Sequence, residues 1–98
     1  MLFAVIFRDK PDQGALRSQL LPAHIAWLDQ VRDTVRVGGS LRTEPGIVPI
    51  GGLWIVEAAS KDEIDRLMRA DPFFTGGLRA SWEILHWSKA FEDRTVPV

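Results

Sequence analysis

The sequence predicts an α+β fold with the ferredoxin-like order β-α-β-β-α-β and an antiparallel sheet. Three observations carry this expectation. Four short apolar or alternating segments are separated by two stretches with helical spacing. Glycine and proline cluster between those segments and not within the strongest of them. The chain has 98 residues, enough to bury one core and not two, so a single domain spanning residues 1–98 is expected.

Residues 2–7 are apolar without interruption and rich in Phe, Val and Ile, and Arg8, Asp9 and Lys10 end them before Pro11. Residues 15–37 suit a helix whose main start is marked by Pro22, with His24, Trp27, Leu28, Val31 and Val35 on one face and Gly38-Gly39 as its stop. A short second strand is expected at residues 40–44, followed by an irregular turn through Pro45, Gly46 and Pro49. Residues 53–59 form the third strand after Gly51-Gly52. Ser60 and Glu63 have the spacing of a capping box, opening a helix through Ala70 that buries Ile64, Leu67 and Met68. Residues 71–77 read as a loop, and residues 78–87 as the last strand with Leu78, Ala80, Trp82, Ile84 and His86 on one side. The closing residues 88–98 read as an arm lying on a surface or on a partner. The first and third strands are apolar on both sides, and both helices cover the same sheet face. The open face therefore calls for a homodimer packed sheet to sheet.

Composition removes several function classes. Twelve Lys and Arg against 13 Asp and Glu give a net charge of -1, without the basic footprint of a nucleic-acid binder. The third strand also lacks the aromatic and basic signature of RNA-recognition sheets. The absence of cysteine excludes disulfides, thiolate metal sites and a cysteine nucleophile, and suits a cytoplasmic location. The longest apolar run is far too short to span a bilayer, so no membrane role is expected. Two histidines lie 62 residues apart with no metal-ligand spacing, and five serines include no nucleophile elbow. No metal or organic cofactor is expected. The three glycine pairs fit neither phosphate-loop nor dinucleotide fingerprints and read as turn residues.

Two residues draw attention as carriers of chemistry. His24 lies on the apolar stripe of the long helix, which suits either a general base aimed at a cleft or a hydrogen-bonded core histidine. Asp71, followed by Pro72-Phe73-Phe74, sets a carboxylate beside aromatic surface, where it either orients an imidazole or simply forms a turn. His86, between Leu85 and Trp87, reads as structural.

The chain resembles the YCII-related (YciI-like) family of the dimeric α+β barrel superfamily over nearly its whole length. The resemblance rests on His24 after Pro22-Ala23, Gly51-Gly52-Leu53 with the strand to Ser60, Asp71-Pro72-Phe73 with Gly77-Leu78, and Ile84-Leu85-His86-Trp87. It implies a ferredoxin-like dimer with His24 and Asp71 on the positions of the family's His/Asp pair. One departure stands out: Thr43-Glu44-Pro45 puts a glutamate where the family usually has glycine. Related activities, chloride elimination from a chlorinated hydroxylated aromatic and muconolactone isomerisation, are proton transfers on small cyclic molecules. The resemblance thus implies a cofactor-independent lyase or isomerase. His24 would be its base, Asp71 the orienting group, Arg8 the anchor for an anionic substrate and Phe73 a pocket wall. The other reading is a non-catalytic dimer that binds a small ligand or a protein.

Overall fold

The computed structural model describes residues Met1–Val98. Strand β1 (Leu2–Asp9) is followed by helix α1 (Gly14–Gln30), strands β2 (Val35–Leu41) and β3 (Gly51–Glu57), helices α2 (Lys61–Met68) and α3 (Pro72–Thr75), and strand β4 (Arg79–His86). The four strands form one sheet in the order β2-β3-β1-β4, and every neighbouring pair is antiparallel. This is the α+β, ferredoxin-like arrangement that the element order predicts.

β1 takes the centre because both of its faces are apolar. Phe3, Val5 and Phe7 are fully buried on one face with Trp54 and Val56 of β3. Val35, Ala58, Ile64 and Met68 complete the core on that side, and Trp27, Leu28 and Leu67 pack against it from the helices. The opposite face carries Ala4, Ile6, Leu53 and Ile55, half-buried, in cross-strand register. At the β1–β3 edge of the site, Gly51 is required by close approach: a Cβ there would lie 1.8 Å from the Phe7 carbonyl oxygen.

The boundary between α1 and β2 differs from the expectation. The helix begins at Gly14, runs through Pro22 and ends at Gln30, so Pro22 is internal and not a start. Proline cannot donate to the Ser18 carbonyl, which removes one rung of the ladder, yet Ala15, Leu16, Arg17, Gln19 and Leu20 favour helix strongly enough to continue across it. Val35 belongs to β2, and Gly38-Gly39 lie within that strand. The spacing from Val31 to Val35 suits a helix, but pairing with β3 prevails: Val35 lies opposite Val56, and a register shift between Val35 and Val37 turns Val37 to the other face beside Ile55. Gly38 faces Trp54, whose Cδ1 would sit 3.2 Å from a Cβ, so the indole takes the room a side chain would need.

Ser60 caps α2, its Oγ accepting from the Glu63 amide at 3.3 Å. Glu63 returns the bond one residue earlier than a standard capping box does, its Oε2 accepting from the Ala59 amide at 2.9 Å. Replacing Ser60 with alanine is expected to lower stability by about 1 kcal/mol, read from the urea midpoint at unchanged slope.

The expected loop at 71–77 contains α3. Asp71 is its N-cap and Pro72 occupies the first turn, where its missing N–H costs nothing. α3 sits tightly on α1, since a Cβ on Gly76 would lie 2.5 Å from Leu20. β4 also departs from simple alternation. A register shift between Arg8 and Asp9 pairs Asp9 with Arg79, so Arg79 and not Ala80 turns inward.

Candidate functional site

α1 and α3 converge on one side of the sheet, and their contact brings His24 and Asp71 together. His24 is 6% exposed and Asp71 is fully buried. The imidazole Nδ1 lies 2.6 Å from Asp71 Oδ1, and the same oxygen accepts from the Phe73 amide at 3.0 Å. With Asp71 as the carboxylate, which only accepts, the proton of the shared bond lies on Nδ1. Nε2 makes no hydrogen bond to the protein and is not among the enclosed polar atoms. Phe73 lies flat against the imidazole, with ring centroids 3.7 Å apart and planes 8° from parallel. The ring is thus held by a hydrogen bond at its edge and by an aromatic face.

A second group of charges adjoins this pair. Asp9 at the end of β1 accepts from Arg79 NH1 through Oδ1 at 2.8 Å and from Arg17 Nε through Oδ2 at 3.2 Å. The three side chains are 5%, 2% and 11% exposed. The Arg79 guanidinium lies over Phe7 at 4.2 Å and over Phe73 at 4.9 Å, and Arg17 lies 4.9 Å from the same Phe73 ring. Burial pulls Arg79 below its usual range. The hydrogen bond and charge of Asp9, and the charge of Asp71, oppose that pull, while Arg17 adds to it. Two buried atoms of the cluster have no partner, Asp71 Oδ2 and Arg79 Nε.

A cavity of about 410 Å³ opens beside this charge group, with Asp9, Arg17, Gly14, Pro49, Ile50 and Leu78 in its wall. His24, Asp71 and Phe73 are not among its lining residues. Arg17 joins the two regions, since it lines the cavity and also reaches the Phe73 ring.

The structure does not bring Arg8 to the pair. Arg8 follows Phe7 on β1, so its side chain is exposed on the face of Ala4 and Ile6, away from α1. Its nominal place as a cation near the pair is taken by Arg79 and Arg17. Their signal in the sequence was weak: Asp9 read as a strand terminator, and strict alternation turned Arg79 outward. His86 is exposed and packs on Phe3 with centroids 4.6 Å apart. No group of three or more His, Cys, Asp or Glu side chains comes together in a way that suits a metal ion.

With this geometry in view, the profile of the YCII-related domain matches residues 1–88, most of the chain. The chain belongs to the YCII-related family. Among solved structures, this YCII-related chain is similar to the 5-chloro-2-hydroxyhydroquinone dehydrochlorinase TftG of Burkholderia phenoliruptrix, determined in complex with 2,5-dihydroxybenzoquinone. The two share 32% identity with a TM-score of 0.81, over 90% of this chain and 94% of that one. A candidate antibiotic biosynthesis monooxygenase from Bacteroides thetaiotaomicron shares the fold at 10% identity and a TM-score of 0.59, with 99% and 95% of the chains covered. The Agrobacterium tumefaciens protein Atu4242 does so at 16% identity and 0.50, over 97% and 100%. No curated protein matches the YCII-related chain. None of its helices is long and apolar enough to cross a membrane.

Proposed function

We propose that this YCII-related protein is a lyase or isomerase acting on a small cyclic organic molecule by proton transfer, with protein groups alone as acid and base. The observation that carries this reading is the 2.6 Å contact between His24 Nδ1 and Asp71 Oδ1, which leaves Nε2 without a protein partner. With Nδ1–H donating a hydrogen bond to the carboxylate, the Nε2 lone pair is free to take a proton from substrate, and the carboxylate stabilises the imidazolium that results. Phe73 keeps the ring in plane and walls the site. For a chlorinated hydroxylated ring, Nε2 would take a proton, the released electron pair would form a new double bond, and chloride would leave. The sum is loss of HCl. The dehydrochlorinase relative at 32% identity supports this substrate class.

The test is chloride release from chlorinated di- and trihydroxybenzenes by purified protein. Turnover that disappears on boiling supports the reading, whereas no chloride and no spectral change across such a panel argues against it. A second reading, a dimer that binds a small ligand without turning it over, draws on the enclosure of His24 and Asp71 and on their absence from the wall of the 410 Å³ cavity. Saturable binding without chemistry in the same panel would favour it.

The protein is further proposed to act as a homodimer through the open sheet face. Ala4, Ile6, Leu53 and Ile55 form a continuous apolar patch there, extended by Val37, Leu41 and Leu85, which are 40%, 37% and 41% exposed. Light scattering should give a mass close to twice 11.0 kDa. Ile55→Asp, which sets a charge at the centre of that patch, should return the mass to that of one chain.

A further inference from the structure

The charges packed around Phe73 come from four elements. α1 contributes Arg17 and His24, β1 contributes Asp9, and β4 contributes Arg79, while Asp71 caps α3. β3 brings only Gly52 and Trp54 to this region, so it adds no charge. Two arginines and two aspartates therefore balance when His24 is neutral. Asp9 is bonded to both arginines, whereas Asp71 is bonded to neither.

Asp71 is nonetheless fully buried, and only one of its oxygens has donors. A carboxylate taken out of water in this way needs an opposite charge close by or it takes up a proton. Arg79 is the group placed to supply that charge. It is 6% exposed, its Nε is enclosed and without a partner, and its guanidinium lies over the same Phe73 ring whose amide bonds Asp71. Arg79 feels the charge of Asp71 in return. Arg17 is more exposed and faces the cavity, so it is less fixed.

We propose that Arg79 is a positioning residue for the His24–Asp71 pair: its buried positive charge keeps Asp71 as the carboxylate, and the carboxylate in turn keeps the His24 proton on Nδ1. Arg79 acts through Asp71 and touches no reacting atom. The assignment deepens the proposed function, since it rests on His24 working through a free Nε2.

Only two histidines are present, so nitrogen NMR of protein labelled at histidine reads the tautomer of His24 directly, with His86→Gln for assignment. At a pH where the imidazole is neutral, the native protein should show the Nδ1–H form as the major species. Arg79→Met and Arg79→Gln, which remove the charge, should make the Nε2–H form the major one. Arg79→Lys, which keeps the charge, should retain Nδ1–H. Folded neutral variants that keep the Nδ1–H form would overturn the role given to Arg79, and so would a lysine variant that switches as the neutral ones do. An Nε2–H form in the native protein would instead overturn the reading of His24 as base, so the two failures are told apart.

Discussion

Replacing His24 with alanine is expected to lower turnover by about 10²- to 10⁴-fold, the usual worth of a positioned base, while the circular dichroism spectrum stays that of the native protein. Asp71→Asn should lose activity to a similar order for a different reason. The amide can still cap α3, because its oxygen accepts from Phe73 N–H as the carboxylate does. It cannot stabilise an imidazolium, since it carries no charge. Steady-state rates on whichever ring substrate releases chloride, measured beside thermal unfolding, separate the two effects. A His24→Ala variant with native rate would remove the histidine from the chemistry. Loss of the stacked, hydrogen-bonded ring should also cost stability, on the order of 1–3 kcal/mol, because Asp71 Oδ1 would lose one of its two donors.

The largest effect on stability is expected at Asp9. Asp9→Ala leaves two arginine side chains, 2% and 11% exposed, without the carboxylate they share. Breaking a buried ion pair by removing one partner typically costs about 3–5 kcal/mol, because the remaining charge is stranded away from water. A loss of that size is a large part of what a domain of this length has in hand. Urea unfolding followed by tryptophan fluorescence measures it. Arg17→Ala should cost clearly less, since Asp9 keeps Arg79 and the Arg17 side chain already reaches the cavity. If Asp9→Ala unfolds at the native midpoint, the charge group is not the structural joint that its burial implies.

How much of this was legible in the sequence depended on whether one local signal acted alone. The Ser60–Glu63 spacing identified the start of α2 because capping is decided within four residues. The uninterrupted apolar run of β1 identified a strand covered on both faces, a character it shares with β3, its neighbour inside the sheet. At residues 31–37 two signals competed. Val31 and Val35 fit a helix, yet Val35 and Val37 pair with β3 across a register shift that sends them to opposite faces, and that pairing is contained in no local window. Arg79 was hidden for a similar reason: a one-residue register shift against β1 reversed its direction, and a shift of that kind is a property of two strands. His24 and Asp71 were visible as residue types in plausible places. Their proximity depends on α3, a helix of four residues too short to show a period.

That short helix has a consequence for how the site can change. Asp71 Oδ1 serves the backbone of α3 and the imidazole of α1 with one atom, so the geometry of the pair is set when the chain folds and not when a ligand arrives. Under the proposed function, substrate preference is thereby uncoupled from the His24–Asp71 pair. The segment between β2 and β3 borders the neighbouring cavity through Val48, Pro49 and Ile50 without touching that oxygen, and it can vary in length or character while the His24–Asp71 pair stays intact. Variation at Asp71 has no such freedom, because any replacement must still accept the Phe73 amide. Relatives that act on different rings are therefore expected to differ in the first of these segments and to agree in the second.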